Sequence, residues 1–322
     1  MRIASPAPDG YTVRPAPLSC TGNSLAKNIS CVVRAGAALF AVVTAISIVL
    51  SPLPAWAWGG DGHQITALIA AGRLSSAARS HVAQILGVPD DQRSVANAMA
   101  RAALIPDSKY RGSAPETLDW HFINICRQDT PAQVDERCPE GNCVTAQIDR
   151  FAHDLRAGKP DGKWDAAAQL EFVINLMGEV HQPFHATTNA DLGGKCLGVI
   201  SPEPANSLHS LWGERMVMIV EHQLHTSGPA ETAAALQRRF PAGHVTLHSP
   251  RTIAWDSHML AEHEAYTPLQ IPLQPCKPTT CIKQPAVRIN RAYLNREWPV
   301  AAKRLATGGY QLAALLNSIW KQ

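Results

Sequence analysis

Apolar residues recur at three- and four-residue spacing along most of the chain, a period that predicts helices. ITALIAAGRLSSAARSHVAQIL, ending at Leu86, reads as two helical pieces closed by Gly87. The pattern returns over 93–104, ended by Pro106, and then over 144–156, 166–180, 206–224, 231–240, 252–266 and 291–320. A Pro/Gly/Cys-rich loop occupies 129–142, and Asp191, Gly193 and Gly194 mark another. No stretch alternates convincingly with a period of two, and no internal repeat or low-complexity linker is present. The pattern predicts an all-α fold in a single, mostly helical domain, with polar residues gathered at helix ends and in loops.

The first 57 residues do not belong to that pattern. The run AGAALFAVVTAISIVLSPLPAWA follows Lys27 and Arg34 and ends in Ala55-Trp56-Ala57, the charged flank, apolar stretch and A-x-A site of a secretory signal. Its n-region is extended, so a start codon downstream of Met1 or an uncleaved anchor are the competing readings; Pro52 and Pro54 and the length of the run favour a signal. Cleavage leaves Trp58 first, so 1–57 is taken as signal peptide and 58–322 as the folded domain. The protein is expected to be exported, periplasmic or secreted.

With 322 residues, 46% hydrophobic and 17% charged, the chain can bury a sizeable core. Without residues 1–57, Lys+Arg falls from 29 to 25 and Asp+Glu from 26 to 25, so the mature chain is near neutral. Composition alone therefore gives no nucleic-acid footprint. Six of the eight cysteines remain, an even number that suggests disulfides in an oxidising compartment. Cys138 with Cys143 and Cys276 with Cys281 would each close a short loop, although six cysteines allow 15 pairings and the sequence does not choose among them.

Candidate chemistry lies in four clusters. In NLMGEVHQPFH, Asn175 and Glu179 stand one helical turn apart on one face, and His185 follows Pro183, which ends the helix. Trp58-Gly-Gly-Asp-Gly-His63 would begin the mature chain, where a free α-amine of pKa about 8 can ligate a metal; a frayed terminus is the other reading. Asp107 precedes His121 by fourteen residues, and carboxylate with imidazole is a usual zinc pairing, whereas singly they read as a turn residue and a core histidine. His209 lies four residues before Gly213, which offers no carboxylate. Phe122, beside His121, could stack a base or pack in the core.

Jointly and in this order, WGxxGH, PD, WHF, GEVHQPFH and NSLHSLW, together with AWDSHMLAEHEAY and the closing AAKRLATGGYQLAALLN, resemble the S1/P1 nuclease family over the whole mature length. These enzymes are zinc-dependent phosphodiesterases that share the fold of zinc phospholipases C. The resemblance implies up to three Zn2+ ions. One would take Asp107, His121, position 175 and Glu179; a second the amine and carbonyl of Trp58, His63 and the same Glu179; a third His185, His209 and position 213. Asp107 and Glu179 would then be the catalytic carboxylates and Phe122 the substrate-binding ring. The implied activity is hydrolysis of single-stranded DNA or RNA, or of 3′-nucleotides, leaving 5′ phosphates. A monomer without a protein partner is expected. Three positions depart from the family: Asn175 stands for histidine, Glu179 for aspartate and Gly213 for aspartate. Glu214 is no replacement, since on a regular helix it points about 140° from His209. The departures support a second reading, a catalytically degenerate member that binds metal or ligand without turnover.

Overall fold

The computed structural model describes residues 58–160 and 162–321, and the signal segment assigned to 1–57 lies outside the described residues. Helices dominate, as the apolar spacing predicts: α1 Gly59–Ala71, α2 Ser76–Leu86, α3 Gln92–Ala102, α4 Val144–Ala157, α5 Ala166–His181, α6 Met216–Leu224, α7 Pro229–Arg239, α8 Pro250–Leu260 and α9 Arg291–Ile319. Local chemistry sets their starts. Ser75 accepts from the Ala78 amide, Asp91 from Arg93 and Ser94, Asp165 from Ala168, and Asn290 from Tyr293, each satisfying amides that a helix N-terminus leaves unpaired.

Helix α5 is the axis of the molecule. Every residue from Phe172 to His181 is buried, so its near-continuous apolar sequence reflects packing on all sides, against α1, α3, α4 and α9. On one side lies an aromatic core in which Phe172 stacks on Phe151 at 5.3 Å and takes the edges of Trp120 and Trp164 at 5.2 and 5.1 Å. A second core gathers Trp58, Phe184, Trp212 and Tyr266 with α6 and α9. The polar end of α5 lies between the two.

Three features depart from the sequence expectation. The first is a parallel pair, β1 Val199–Ile200 with β2 Val287–Arg288, whose two-residue strands are too short to show alternation. The second lies in 206–224, which is not one regular helix: a turn at Leu208–Ser210 passes into a π-turn at Leu211–Arg215, where Gly213 leaves helical geometry with ψ −123°, before α6 begins. The third is the disulfide pattern. Cys138–Cys143 forms as expected, but Cys276 and Cys281 are not joined; Cys276 pairs with Cys126 and Cys281 with Cys196. The 274–282 segment runs along the 189–191 loop, with the Gln274 amide donating to Asn189 Oδ1 and the Ile282 amide to Ala190 O, so its two cysteines reach different neighbours.

Candidate metal centre

Four segments deliver the polar groups. Glu179 sits on the last turn of α5 and His63 on α1. Asp107 lies on a π-turn at Pro106–Tyr110, and His121 ends a 3-10 turn at Pro115–His121. Gly178 makes the meeting of α1 and α5 possible: a Cβ there would lie 2.7 Å from His63 Nδ1, so only a glycine leaves the imidazole its place. The indole Nε1 of Trp58 donates to the Gly178 carbonyl at 2.9 Å, tying the expected mature N-terminus to the same turn.

His63 Nε2 is 3.8 Å from Asp107 Oδ2 and 3.7 Å from Glu179 Oε1. His121 Nδ1 is 2.8 Å from Glu179 Oε1 and 3.7 Å from Asp107 Oδ1. All four residues are buried. Both nitrogens of His63 and Nε2 of His121 lack a hydrogen-bond partner. An unpaired buried polar atom costs about 1–3 kcal/mol, so the orphaned His63 Nε2, facing Asp107 and Glu179, fits a cation site. One donor atom from each of His63, Asp107 and Glu179 lies within 4.8 Å of the others. A second grouping, Cys126, Asp129 and Cys276, offers no thiolate because both sulfurs are in a disulfide. Burial would raise the Glu179 carboxyl, but the imidazoles of His185, His121 and His63 outweigh it and hold the carboxyl well below its usual range.

Asn175 shares this pocket but is oriented by its amide nitrogen, which donates to Ala103 O and Asp107 Oδ2, each at 2.9 Å. With two acceptors facing that nitrogen, the flipped amide is excluded. Asn175 thus fixes Asp107, and only its Oδ1 remains unpaired. On the outer side Arg111 reaches the other Asp107 oxygen at 2.7 Å.

His185 and His209 form the other end of the centre, with their Nε2 atoms 3.3 Å apart. His185 Nδ1 lies 2.8 Å from His121 O and 2.7 Å from Glu179 Oε2, and His209 Nδ1 donates to Gly193 O at 2.8 Å, so each ring turns its Nε2 toward the other. Burial, then the neighbouring His185 and Lys195, press the His209 pKa well below its ordinary value, consistent with a neutral ring. Gly193 must be glycine, since it sits at φ +62° and a Cβ would strike Phe184 O at 2.3 Å. Gly213 contributes no side chain, and Glu214 is exposed over Gly59, lining a separate pocket with Trp58, Gly60 and Asp61.

Beside this histidine pair opens a small cavity of about 130 Å³ lined by Phe122, Asn124, Leu192 and Lys195 as well as His185 and His209. The chain runs extended here, so Ile123 and Ile125 point into the core while Phe122 and Asn124 face the cavity. Phe122 is half-buried and belongs to neither core cluster. The Lys195 ammonium lies 5.6 Å from the Phe122 ring centre. Its pKa is lowered by desolvation and by Arg111, against the opposing pull of Glu179, although the residue keeps an exposed surface. Arg111, Asn124 and Lys195 were not singled out from the sequence; the only signals available were Arg111 one turn after Asp107 and a lysine directly after Gly193-Gly194.

The ordered set of buried ligand-type residues can be compared with known proteins. Nuclease S1 of Aspergillus oryzae (strain ATCC 42149 / RIB 40) is 26% identical over 296 residues, covering 87% of this chain and 97% of the fungal protein. Endonuclease 2 and Endonuclease 5 of Arabidopsis thaliana are 25% and 26% identical, each over 82% of this chain and 90% of the plant protein. The family model described as S1/P1 Nuclease matches residues 58–321, and the chain belongs to the S1/P1 nuclease family.

Proposed function

We propose that this protein is an exported, zinc-dependent phosphodiesterase that hydrolyses single-stranded nucleic acid or 3′-nucleotides to 5′-phosphate products. The observation that carries this reading is the buried convergence of His63, Asp107, His121 and Glu179, with orphaned imidazole nitrogens, next to a cavity walled by Phe122. Family membership and the nuclease names of the relatives support it. The family match beginning at residue 58 supports removal of a signal before Trp58, and three disulfides suit an oxidising compartment.

Asp107, His121, His63, Glu179 and the Trp58 backbone would hold the paired ions, whereas His185 with His209 offers two nitrogens and no third ligand. Zinc supplies Lewis acidity that polarises the phosphoryl group and makes water acidic enough to react at neutral pH. The chain's own residues do the positioning. Asn175 and Arg111 lock the two oxygens of Asp107, so its direction is set before substrate arrives. Glu179, held ionised, keeps negative charge between the two histidine sets. Phe122 offers a face on which a base can stack, which favours unpaired strands without a basic stripe.

The test uses the exported protein. N-terminal sequencing should start at Trp58, zinc should co-purify, and single-stranded DNA should be cut to 5′-phosphate ends in a chelator-sensitive way. A stacked base is worth about 1–3 kcal/mol, so Phe122→Ala should raise KM for single-stranded substrate about 5- to 160-fold with little change in melting temperature. A large loss of Tm would instead make Phe122 a packing residue. The second reading, a member that binds metal without turnover, is favoured by Asn175 spending its amide on Asp107 and by the missing side chain at Gly213. It takes the lead if zinc binds and no phosphodiester, DNA or RNA, is cleaved.

A further inference from the structure

The histidine pair is chemically incomplete as a third metal site. Structural and catalytic zinc sites use three or four protein ligands, and here His185 and His209 offer two ring nitrogens with Gly213 alongside and Glu214 turned away over Gly59. A positive group already stands in the same cavity. Lys195 shares its walls with both histidines, and its ammonium lies over the Phe122 ring with no hydrogen bond or ion pair among the described residues.

The backbone of Lys195 is clamped on both sides. Before it, the Gly194 amide donates to Asp191 Oδ1 at 3.0 Å, and Gly194 O accepts from the His209 amide at 3.3 Å. After it, the Cys196 amide donates to Asp191 O at 2.9 Å, and Cys196 is bonded to Cys281. Asp191 itself is fully buried and held by the Tyr266 hydroxyl at 2.9 Å. The loop that orients His209 through Gly193 O therefore also presents the lysine. An unpaired ammonium beside an aromatic face suits a ligand with an anionic group on one side and a flat ring on the other.

We propose that Lys195 binds the phosphate of a nucleotide whose base stacks on Phe122, and that it takes the place of a third metal ion at His185 and His209. This rests on the nuclease reading of the site. It makes the loss of the carboxylate at position 213 and the presence of Lys195 two parts of one exchange, with a fixed monocation replacing a metal-ligand set.

Two measurements that do not need turnover test it. After equilibration with excess zinc and desalting, elemental analysis should find no more than two zinc ions per wild-type chain, and Lys195→Ala combined with Gly213→Asp should find more. Calorimetric titration should show Lys195→Ala binding adenosine 5′-monophosphate at least about tenfold more weakly while adenosine binding stays the same; Lys195→Arg should retain most of the affinity, and Lys195→Gln should behave as the alanine variant. Three zinc ions in the wild type overturn the proposal, as does equal weakening of adenosine and its monophosphate. If the binding results hold and no phosphodiester is cleaved, the nuclease reading fails while the Lys195 site stands.

Discussion

Gly178 decides how closely α5 can carry Glu179 to His63. In Gly178→Ala the new methyl would sit 2.7 Å from His63 Nδ1, and the imidazole would have to swing from the position that brings its Nε2 within 3.7 Å of Glu179. Alanine favours the helix by about 1 kcal/mol, which offsets part of the about 1–3 kcal/mol cost of overpacking. The variant should fold with a Tm within a few degrees of wild type and lose zinc affinity by about 10-fold or more, the scale on which even the groups supporting a ligand act. Unchanged zinc content would show that His63 does not bind metal. The residue scale is also where the sequence was most legible. His63, Asp107, His121, Glu179, His185 and His209 were candidates by residue type, joined into ligand sets only by the family resemblance, and the fold brings them into one buried region. The hydrogen bonds that set their tautomers were not legible, because His121 O and Gly193 O are backbone groups that any residue could supply. The direction of the Asn175 amide was hidden for a similar reason: Ala103 O and Asp107 lie 72 and 68 residues away.

Helices could be read from apolar spacing to within a few residues, and the misses fall where local period and tertiary demand conflict. A regular helix over 206–224 agrees with every apolar residue in it, yet Gly213 breaks the helix there, and Glu214 comes to face α1 for that reason instead of through helical rotation. Short cysteine spacing suggested Cys276–Cys281, but short loops compete with whatever long-range pairing the strapped segment finds. That strap links the Phe122 segment, through Cys126, and the Lys195 loop, through Cys196, to one stretch of chain. Loop-closure entropy ranks the three bonds. For separations of 150, 85 and 5 residues the chain-entropy model gives about 5, 4.5 and 2 kcal/mol. Paired Cys→Ser variants should therefore lower Tm in that order. Removing Cys196–Cys281 should additionally weaken nucleotide binding, since it frees the loop that holds both His209 and Lys195. Equal Tm losses for the five-residue and the 150-residue bonds would reject the entropic account, and unaltered nucleotide affinity would reject the strap as a support for the site.

Across the whole molecule, stability should carry a pH signature from one buried carboxyl outside the candidate metal centre. Glu297 lies on α9 with no exposed surface and one oxygen, Oε2, unpaired. Burial pushes its pKa up to about 7, with Arg296 at 2.6 Å pulling it back and Glu264 adding to the rise. The unfolded chain returns it to about 4.3. Between those values the folded protein holds a proton that the unfolded chain has lost, so folding stability is fully present below about pH 4.3 and is lost as pH rises through about 7. At about 1.4 kcal/mol per pKa unit the loss is at most roughly 3 to 4 kcal/mol, and Arg296, exposed for half its side chain, can follow the carboxylate and reduce it. Glu297→Gln keeps the shape and removes the titration. Its Tm should match wild type near pH 4 and exceed it by several degrees at pH 8, with the gap opening between pH 5 and 7. All other titrating groups are common to both proteins and cancel in the difference, so the comparison isolates this one carboxyl. A gap that does not change with pH would mean that Glu297 ionises normally in the folded protein and that solvent reaches the second core around α9.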